Sequence, residues 1–389
     1  MTTTPTAPPG APAPEQAAAE PRVARVRGAA VVYRLYDVGY EIHLDRALDL
    51  LASSAPERVR PVRGEAQALQ IRNPPVSVVL GSEHVLLEGA PHEAEVSARI
   101  FDFGVVSLRL RVSAPGELSW ETFTAFGNAA DLERATAVIF EQHIRLLTER
   151  IAPSIERFSI APLTEDYVVY RVTSLRDERG RPVPADALRD ADVVPLLLNE
   201  TRPLSVAARR ELLPHRFSYY ADDLAILTWD NALVVDPSVD LDTDVQFILE
   251  FANAQLLELR FYDAILDEEL PRMYDRAAAA RRGARALFSR RFAPLLAELQ
   301  AFVADSTELV ERAENSLKVT DDVYLARVYL AALEIFRGRA WRSGIDRKLA
   351  IIRDTYTMLN AESQAARSEA LELAIVLLIV AELVLPWLL

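Results

Sequence analysis

The chain has 389 residues, of which 50% are hydrophobic and 26% are charged, and this composition is typical of a globular protein with two or three domains. The formal net charge of −14 argues against a general attraction to nucleic acid or anionic lipid, so no DNA partner is expected. The absence of cysteine excludes disulfides, thiol catalysis and cysteine-ligated metals. Arginine supplies nearly all of the positive charge, which is typical of a GC-rich bacterial genome.

The first part of the chain predicts a disordered leader followed by an α+β domain. Residues 1–27 are rich in Ala, Pro and Thr and contain too few large apolar side chains to form a core. Residues 28–237 combine Val-, Tyr- and Ile-rich segments with helical segments, which predicts a mixed or antiparallel β-sheet with helices. Two candidate halves are recognised in this domain, residues 29–155 and 156–237, because a strand precedes a helix in each.

One strand of this domain has a clear period of two. Four apolar side chains alternate along it with three polar ones: Val106, Leu108, Leu110 and Val112 with Ser107, Arg109 and Arg111. The alternation predicts a half-buried strand whose serine and arginines face water. Gly104, just before it, predicts a hairpin turn or a bulge.

Residues 238–369 predict a helical domain, arranged as an antiparallel hairpin or a three-helix bundle. Its first helix, at residues 240–274, is apolar on nearly all sides, which indicates burial by neighbouring helices or by a partner subunit. Farther on, apolar residues repeat at coiled-coil spacing in three series: Leu295, Leu299, Phe302, Leu309, Ala313 and Leu317; Leu325, Val328, Ala332 and Ile335; and Trp341, Ile345, Leu349, Ile352, Tyr356 and Leu359. These seams favour a homo-oligomer.

Residues 370–389 form an almost unbroken apolar run. As a helix its apolar part covers ~25 Å, close to a ~30 Å hydrocarbon core, which predicts one C-terminal transmembrane helix with a lipid bilayer as partner. The residues expected to form the span are Leu373, Ile375, Leu377, Leu378, Ile379, Val380, Glu382, Leu383, Leu385 and Trp387. Glu382 is expected either to hydrogen-bond its copy in a second subunit or to lie in water at the far interface. No secretory signal precedes Arg22, so the body is expected on the cytoplasmic side.

The apolar helix at residues 240–274 carries a small polar cluster of Glu250, Asn253, Glu258 and Arg260. Two buried carboxylates there would suit acid–base chemistry or coordination of Mg²⁺. The favoured alternative is structural. In it, Glu250 and Asn253 hydrogen-bond neighbouring helices, and Arg260 pairs with an acid such as Asp263.

A basic patch follows, formed by Arg272, Arg276, Arg281, Arg282, Arg285, Arg290 and Arg291. Such a patch suits contact with lipid phosphate or with RNA. The favoured alternative is a solvated helix neutralised by Glu268, Glu269 and Asp275. An RNA or ribosome partner is therefore considered but not favoured.

The sequence shows no known catalytic motif: there is no GxGxxG after a strand, no Walker loop, no GxSxG and no HExxH. The histidines are scattered, without a pair at the spacing of a helical metal site: His43, His84, His92, His143 and His215. The sequence therefore predicts no metal, no cofactor and no enzymatic activity.

Several short segments carry a family resemblance. In chain order they are the strand FDFGVV, the Ala254–Gln255 pair on a helix, the segment IIRDTYTMLN, and the pair Leu371–Glu372 before an apolar run that contains Glu382. With these features the chain resembles the "required for meiotic nuclear division" (RMD/RMND) family over residues 101–385. The resemblance implies a single-span membrane protein whose eukaryotic relatives are tied to mitochondria and organelle protein synthesis. It brings no catalytic residues.

Together these features predict a membrane-anchored, self-associating scaffold on the cytoplasmic face. The alternative is an RNA- or ribosome-proximal membrane tether that uses the basic patch. A metal-dependent enzyme built on Glu250 and Glu258 is the third hypothesis.

Overall fold

The computed structural model describes residues 22–58, 69–71, 73–130, 133–238, 242–282, 297, 303–304, 307, 317–319 and 323–388. At residues 382–388, and in several shorter stretches, this description covers the backbone and not the side chains. Residues 1–21 of the predicted leader lie outside the described residues. From Arg25 onward the chain forms a strand, so the last part of the predicted leader is structured.

The described strands are β1 (Arg25–Asp37), β2 (Glu41–Ile42), β3 (Glu57–Arg58), β4 (Leu69–Ile71), β5 (Val76–Leu87), β6 (Ala90–Ile100), β7 (Val105–Ser113), β8 (Ile155–Glu156), β9 (Thr164–Arg176), β10 (His215–Phe217), β11 (Leu224–Leu227), β12 (Asn231–Val235) and β13 (Leu317–Val319). The described helices are α1 (Leu44–Leu51), α2 (Trp120–Ala130), α3 (Glu133–Ile151), α4 (Asp190–Leu198), α5 (Val206–Leu212), α6 (Asp244–Arg282), α7 (Val323–Ile335) and α8 (Gly338–Leu388).

One large mixed sheet organises the fold. Its nine strands follow the order β10-β11-β12-β9-β1-β7-β6-β5-β3, and all neighbours are antiparallel except β12 and β9, which are parallel. The long strand β1 lies between β7 and β9 and so joins strands from both candidate halves of the α+β domain. The predicted α+β architecture with a mixed sheet is confirmed.

Hydrophobic layers cover both faces of the sheet, because successive side chains of a strand point to opposite faces. Val32 and Leu108 belong to the layer under α1, α2, α3 and α4. Val31 and Tyr33 belong to the layer under α6 and α7. The sheet is therefore the middle of three layers.

The first half of α6 is buried on all sides, as its apolar sequence predicts. Every residue from 245 to 259 is buried. Phe251 packs edge-on against Phe101 beside the sheet, and the Tyr329 hydroxyl of α7 donates to Gln255 Oε1 at 2.6 Å. The covering surfaces come from this chain itself, so α6 alone gives no reason to expect a partner subunit.

The second half of α6 packs against α8, and the two helices run in the same direction. The guanidinium of Arg260 lies 6.0 Å from the ring centre of Trp341, and farther along both helices Asp267 pairs with Lys348 at 2.6 Å. Most of the predicted α8 stripe is buried against α6, namely Ile345, Leu349, Ile352 and Leu359. These helices are therefore not the two arms of an antiparallel hairpin.

One local prediction differs from the structure, and two others involve residues outside the described ranges. The sequence from about Leu118 to Arg150 predicts a helix, and the structure describes α2 and α3 there; residues 131 and 132, between them, lie outside the described residues. Leu317, expected at the end of a helical stripe, lies in β13, which pairs with β4. The earlier members of that stripe lie outside the described residues: Leu295, Leu299, Phe302, Leu309 and Ala313.

Candidate functional site

The sheet face under α6 carries buried arginines where a continuous apolar surface would be expected. Arg99 of β6 and Arg109 of β7 are both buried, and so is Ser107. The sequence placed Ser107 and Arg109 in water, and that prediction is wrong. The alternation itself is correct, but the second face of β7 is covered by α6 instead of solvent.

Two carboxylates balance these two arginines, Asp242 just before α6 and Glu250 within it. Arg99 donates hydrogen bonds to Glu250 and, at 2.9 Å, to Asp242 Oδ2. Arg109 donates to the same Asp242 oxygen and, at 3.0 Å, to Ser77 Oγ. We call this set of Arg99, Arg109, Asp242 and Glu250 the arginine–carboxylate network.

A capping box holds the beginning of α6 in place beside this network. The backbone N–H of Gln246 donates to Thr243 Oγ1 at 3.1 Å, and the N–H of Thr243 donates to Gln246 Oε1 at 3.3 Å. The reciprocal bonds satisfy backbone donors that a helix start leaves without intrahelical partners. They also fix Asp242, which directly precedes Thr243.

The charges in the network are strongly coupled. Burial opposes ionisation of Asp242, but Arg109 and Arg99 outweigh it and lower the pKa of Asp242 to about 2. Burial also acts to lower the pKa of Arg109, and Asp242 and Glu250 outweigh it so that the pKa rises above its usual value. Asp242 and Arg109 therefore stay charged near neutral pH, and this suits them to holding α6 on the sheet more than to transferring protons.

The predicted polar cluster is divided among several neighbours. Glu250 belongs to the arginine–carboxylate network, whereas the Asn253 side chain donates to the carbonyl of Leu249 in its own helix at 2.9 Å. Arg260 pairs with Glu165 of β9, not with Asp263 as expected. Asp263 instead accepts from Lys348 at 2.7 Å. One helix carries all four predicted residues, but they do not form one site.

Glu258, the remaining member, lies in a second buried acidic region. Asp37 at the end of β1 and Glu258 both interact electrostatically with the Tyr262 hydroxyl, whose pKa is raised first by burial and then by these acids. Burial raises the pKa of Asp37 to about 7, although the backbone N–H of Gly39 donates to it at 3.2 Å. Within the described part of the chain, no group of three or more histidines and acids could hold a metal ion.

An open cleft of about 310 Å³ lies at one end of the sheet. Its lining residues come from β1, β7, β9 and two flanking segments: Arg27, Arg111, Glu117, Arg171, Thr173, Ser174, Arg176, Pro237 and Ser238. We call it the arginine cleft. Glu117 Oε1 lies 3.3 Å from Arg176 Nε and 3.9 Å from the Arg27 guanidinium, so it forms ion pairs with both. Arg171 donates to the Ser238 carbonyl at 3.0 Å.

The basic patch predicted from the sequence is only partly described. Arg272 pairs with Glu269 at 2.6 Å and with Glu268 at 3.2 Å, as the solvated-helix alternative expected. Arg276, Arg281 and Arg282 continue α6, but their side chains lie outside the described residues. Arg285, Arg290 and Arg291 lie outside it entirely.

The predicted membrane span falls in the last part of α8. The described members of the span are all exposed, namely Leu373, Ile375, Leu377, Leu378, Ile379 and Val380. The side chains of Glu382, Leu383, Leu385 and Trp387 lie outside the described residues. Within the part of the chain that the structure describes, no helix combines the length and the apolar character needed to cross a membrane. Residues 371–381 alone cover only ~16 Å of helix, about half of a hydrocarbon core.

Sequence reasoning missed the arginines Arg99, Arg111 and Arg171 and the acid Asp242. A signal was present, since β7 carries Arg109 and Arg111 two positions apart on one face, and β6 carries Arg99. Charged side chains repeated on one face of neighbouring strands suit a solvated sheet equally well. Only the position of α6 shows that this face of the sheet is buried and not exposed to solvent.

The mixed sheet and the charged interior beneath α6 define an α+β protein with helices on both faces of its sheet. The chain belongs to the family described as "Uncharacterized protein MJ0711, N-terminal domain", whose model matches residues 27–242, more than half of the chain. The match includes the whole arginine cleft and the network residues Arg99, Arg109 and Asp242, whereas Glu250 lies beyond it.

A search of curated proteins finds the "Uncharacterized protein MJ0711" of the archaeon Methanocaldococcus jannaschii. It is 26% identical over 249 residues, which cover 64% of this chain and 73% of that protein. No solved structure matches the chain. The resemblance to the RMD/RMND family is wrong, because the matching family model is a different one. That resemblance relied on short motifs and on an apolar run, and runs of Leu, Ile and Val recur in unrelated proteins for compositional reasons.

Proposed function

We propose that this protein attaches to a lipid bilayer through the C-terminal end of α8 and acts there as an interaction scaffold. The observation that carries the proposal is the exposure of the last part of α8 whose side chains are described. Eight large apolar side chains there each leave between 49% and 67% of their surface exposed: Leu371, Leu373, Ile375, Val376, Leu377, Leu378, Ile379 and Val380.

Burial of these side chains supplies the driving force. A fully buried Leu, Ile or Val gains about 1.5–3 kcal/mol relative to exposure, so half-exposed side chains gain on the order of 1 kcal/mol each. The protein as a whole carries a net charge of −14, which does not favour anionic lipid. We therefore expect attachment to persist at high salt, because the attraction is apolar and not electrostatic.

A bilayer fits this segment better than a second copy of the chain. Residues 371–380 are exposed at every position, so apolar surface surrounds the helix. A second helix covers one side of its partner, whereas lipid chains cover all sides. Self-association through the same segment is the second candidate, because α6 is covered within the chain and gives no basis for an oligomer.

The test uses the full chain with Leu377 and Leu378 both changed to Asp. We expect this variant to leave the membrane pellet under an alkaline wash that retains the wild type, because two charges in hydrocarbon are costly. The matched control changes Ala361 and Gln364, two exposed residues earlier in α8, to Asp. This control should stay in the pellet.

The opposite results would overturn the proposal. If the Leu377→Asp, Leu378→Asp variant stays in the pellet as the wild type does, the end of α8 is not the anchor. If the wild type is soluble without detergent and light scattering gives a defined dimer that the variant loses, a second copy covers the segment instead.

A further inference from the structure

The arginine cleft concentrates positive charge in an acidic protein. Arg27, Arg111, Arg171 and Arg176 line it, and Glu117 is the one acidic side chain among the lining residues that the structure describes. Asp236 and Asp242 also lie near Arg171, but Asp242 is already shared by Arg99 and Arg109. The local charge is therefore positive, in a chain whose net charge is −14.

We propose that the arginine cleft binds a phosphate group of a small anionic ligand. Guanidinium groups donate paired hydrogen bonds in a plane, a geometry that matches phosphate oxygens. Ser174 and Ser238 also line the cleft, and their hydroxyls can donate further hydrogen bonds, whereas the Thr173 hydroxyl donates to the Arg27 carbonyl at 3.3 Å. The volume of about 310 Å³ is at the lower end of the range for small-molecule sites.

The strands hold the cleft in shape. Arg171 lies opposite Ala29 in the pairing of β9 with β1, and β1 is paired in turn with β7, which carries Arg111. The register of β1 against β9 shifts between Arg27 and Gly28, so a β-bulge lies at the edge of the cleft. Bulges are common beside binding sites, where they redirect a side chain. Arg111 and Arg171 sit on neighbouring parts of a rigid sheet, so an anion would not have to order them first.

Electrostatics agrees with this geometry. Burial lowers the pKa of Arg171, and the nearby charge of Arg111 lowers it further. Two like charges held near each other raise the free energy of the empty cleft, and a bound anion would relieve that repulsion. Asp236 and Asp242 offset part of this repulsion at Arg171, and Glu117 pairs with Arg27 and Arg176.

The position of the cleft favours a free anion over a lipid headgroup. The cleft lies near the start of α6, where Arg171 contacts Ser238, whereas α8 runs alongside the second half of α6 and continues in the same direction. From Trp341 to Leu371, α8 extends roughly 45 Å. The cleft is thus remote from the exposed apolar segment, and the proposal does not depend on membrane attachment.

The test is a calorimetric titration of the full-length chain in detergent with inorganic phosphate, at constant ionic strength. The variant carries Arg27→Gln and Arg176→Gln, whose side chains are 62% and 40% exposed, so its melting temperature without phosphate should match the wild type. We expect its affinity for phosphate to fall roughly tenfold or more for each arginine removed. The matched control is Arg210→Gln on α5, which is exposed and outside the cleft.

A second arm distinguishes the sources of the phosphate group. It compares binding to vesicles of phosphatidylcholine alone with binding to vesicles of equal parts phosphatidylcholine and phosphatidic acid. Preference for the phosphatidic acid vesicles that disappears in the double variant identifies a lipid headgroup, and arginine-dependent binding of inorganic phosphate alone identifies a free ligand. No binding in either arm, or binding that the double variant retains, overturns the proposal.

Discussion

Arg99 of β6 and Glu250 of α6 form an ion pair with only 2% and 0% of their side-chain surfaces exposed. The pair joins strands and helix across 151 residues of sequence. Both charges have left water, so Glu250 depends on Arg99, and Arg99 depends on Glu250 and Asp242, to offset the cost of burial. The arginine–carboxylate network therefore links the beginning of α6 to β6 and β7.

The first prediction removes one partner of this pair. Glu250→Ala leaves Arg99 buried with less compensation, and we expect the free energy of unfolding to fall by about 3–5 kcal/mol. The matched control, Glu268→Ala, removes an exposed acid of the same helix that pairs with Arg272, and we expect a loss under about 1 kcal/mol. Urea unfolding followed by circular dichroism measures both. Equal losses would show that the pair does not hold α6.

The second prediction concerns pH. In the folded chain burial raises the pKa of Asp37 to about 7 from its ordinary value of 3.8. The unfolded chain therefore releases this proton first, and the contribution of Asp37 to stability falls as the pH rises from about 4 to about 7. Asp37→Asn, which is neutral at every pH, should melt at a higher temperature than the wild type at about pH 8 and at nearly the same temperature at about pH 4.

The control for this measurement is Asp222→Asn, because Asp222 is exposed. Its melting temperature should follow that of the wild type at both pH values. An Asp37→Asn shift of the same size at about pH 4 and about pH 8 would contradict the raised pKa of Asp37.

The third prediction compares glycines in two consecutive hairpin turns. Gly104 has φ of +97°, and a Cβ there would lie 1.9 Å from the carbonyl oxygen of Gly39. Gly89 has φ of +83°, and a Cβ added there would meet no atom within 4 Å. Gly89→Ala should cost about 1–2 kcal/mol from backbone strain alone. Gly104→Ala should cost a further 1–3 kcal/mol, roughly, because backbone must move to admit the methyl group. Equal losses in urea unfolding would contradict the close approach.

The fourth prediction tests whether the apolar stripe of α7, formed by Leu325, Val328, Ala332 and Ile335, contributes to stability. It compares one leucine of the stripe with one outside it. Leu325 is buried, whereas 57% of Leu330 is exposed. Leu325→Ala should lower the free energy of unfolding by about 2–5 kcal/mol, and Leu330→Ala should change it by under ~0.5 kcal/mol. Thermal and urea unfolding provide the comparison. A large loss at Leu330 would mean that another surface covers this side of α7.

The sequence predicts helices best where burial imposes a period. Leu325, Val328 and Ala332 of α7 and Ile345 and Leu349 of α8 are buried as their spacing indicates. The sequence does not predict the direction of α8 relative to α6. Spacing identifies the apolar face of a helix but carries no information about which way its neighbour runs.

The candidate sites depend on contacts between distant parts of the chain. The sequence identifies Glu250 as a polar residue in an apolar helix. Its partner Arg99 lies on a strand whose sequence is equally compatible with a solvent-exposed face. The arginine cleft combines Arg27, Arg111 and Arg171 from three strands that are neighbours only in the folded sheet. A single sequence does not show which strands pair or in what register. The residues of each site could therefore not be predicted to lie together.

Membrane attachment is tested most directly by measuring where the end of α8 lies in a bilayer. The chain has no cysteine, so a single fluorophore can be placed at Leu378→Cys or, as a control earlier in α8, at Gln364→Cys. In vesicles whose lipids carry bromine on the acyl chains, we expect strong quenching at position 378 and little at position 364. Equal, weak quenching at both positions would show that the end of α8 stays out of the hydrocarbon and would contradict the proposed function.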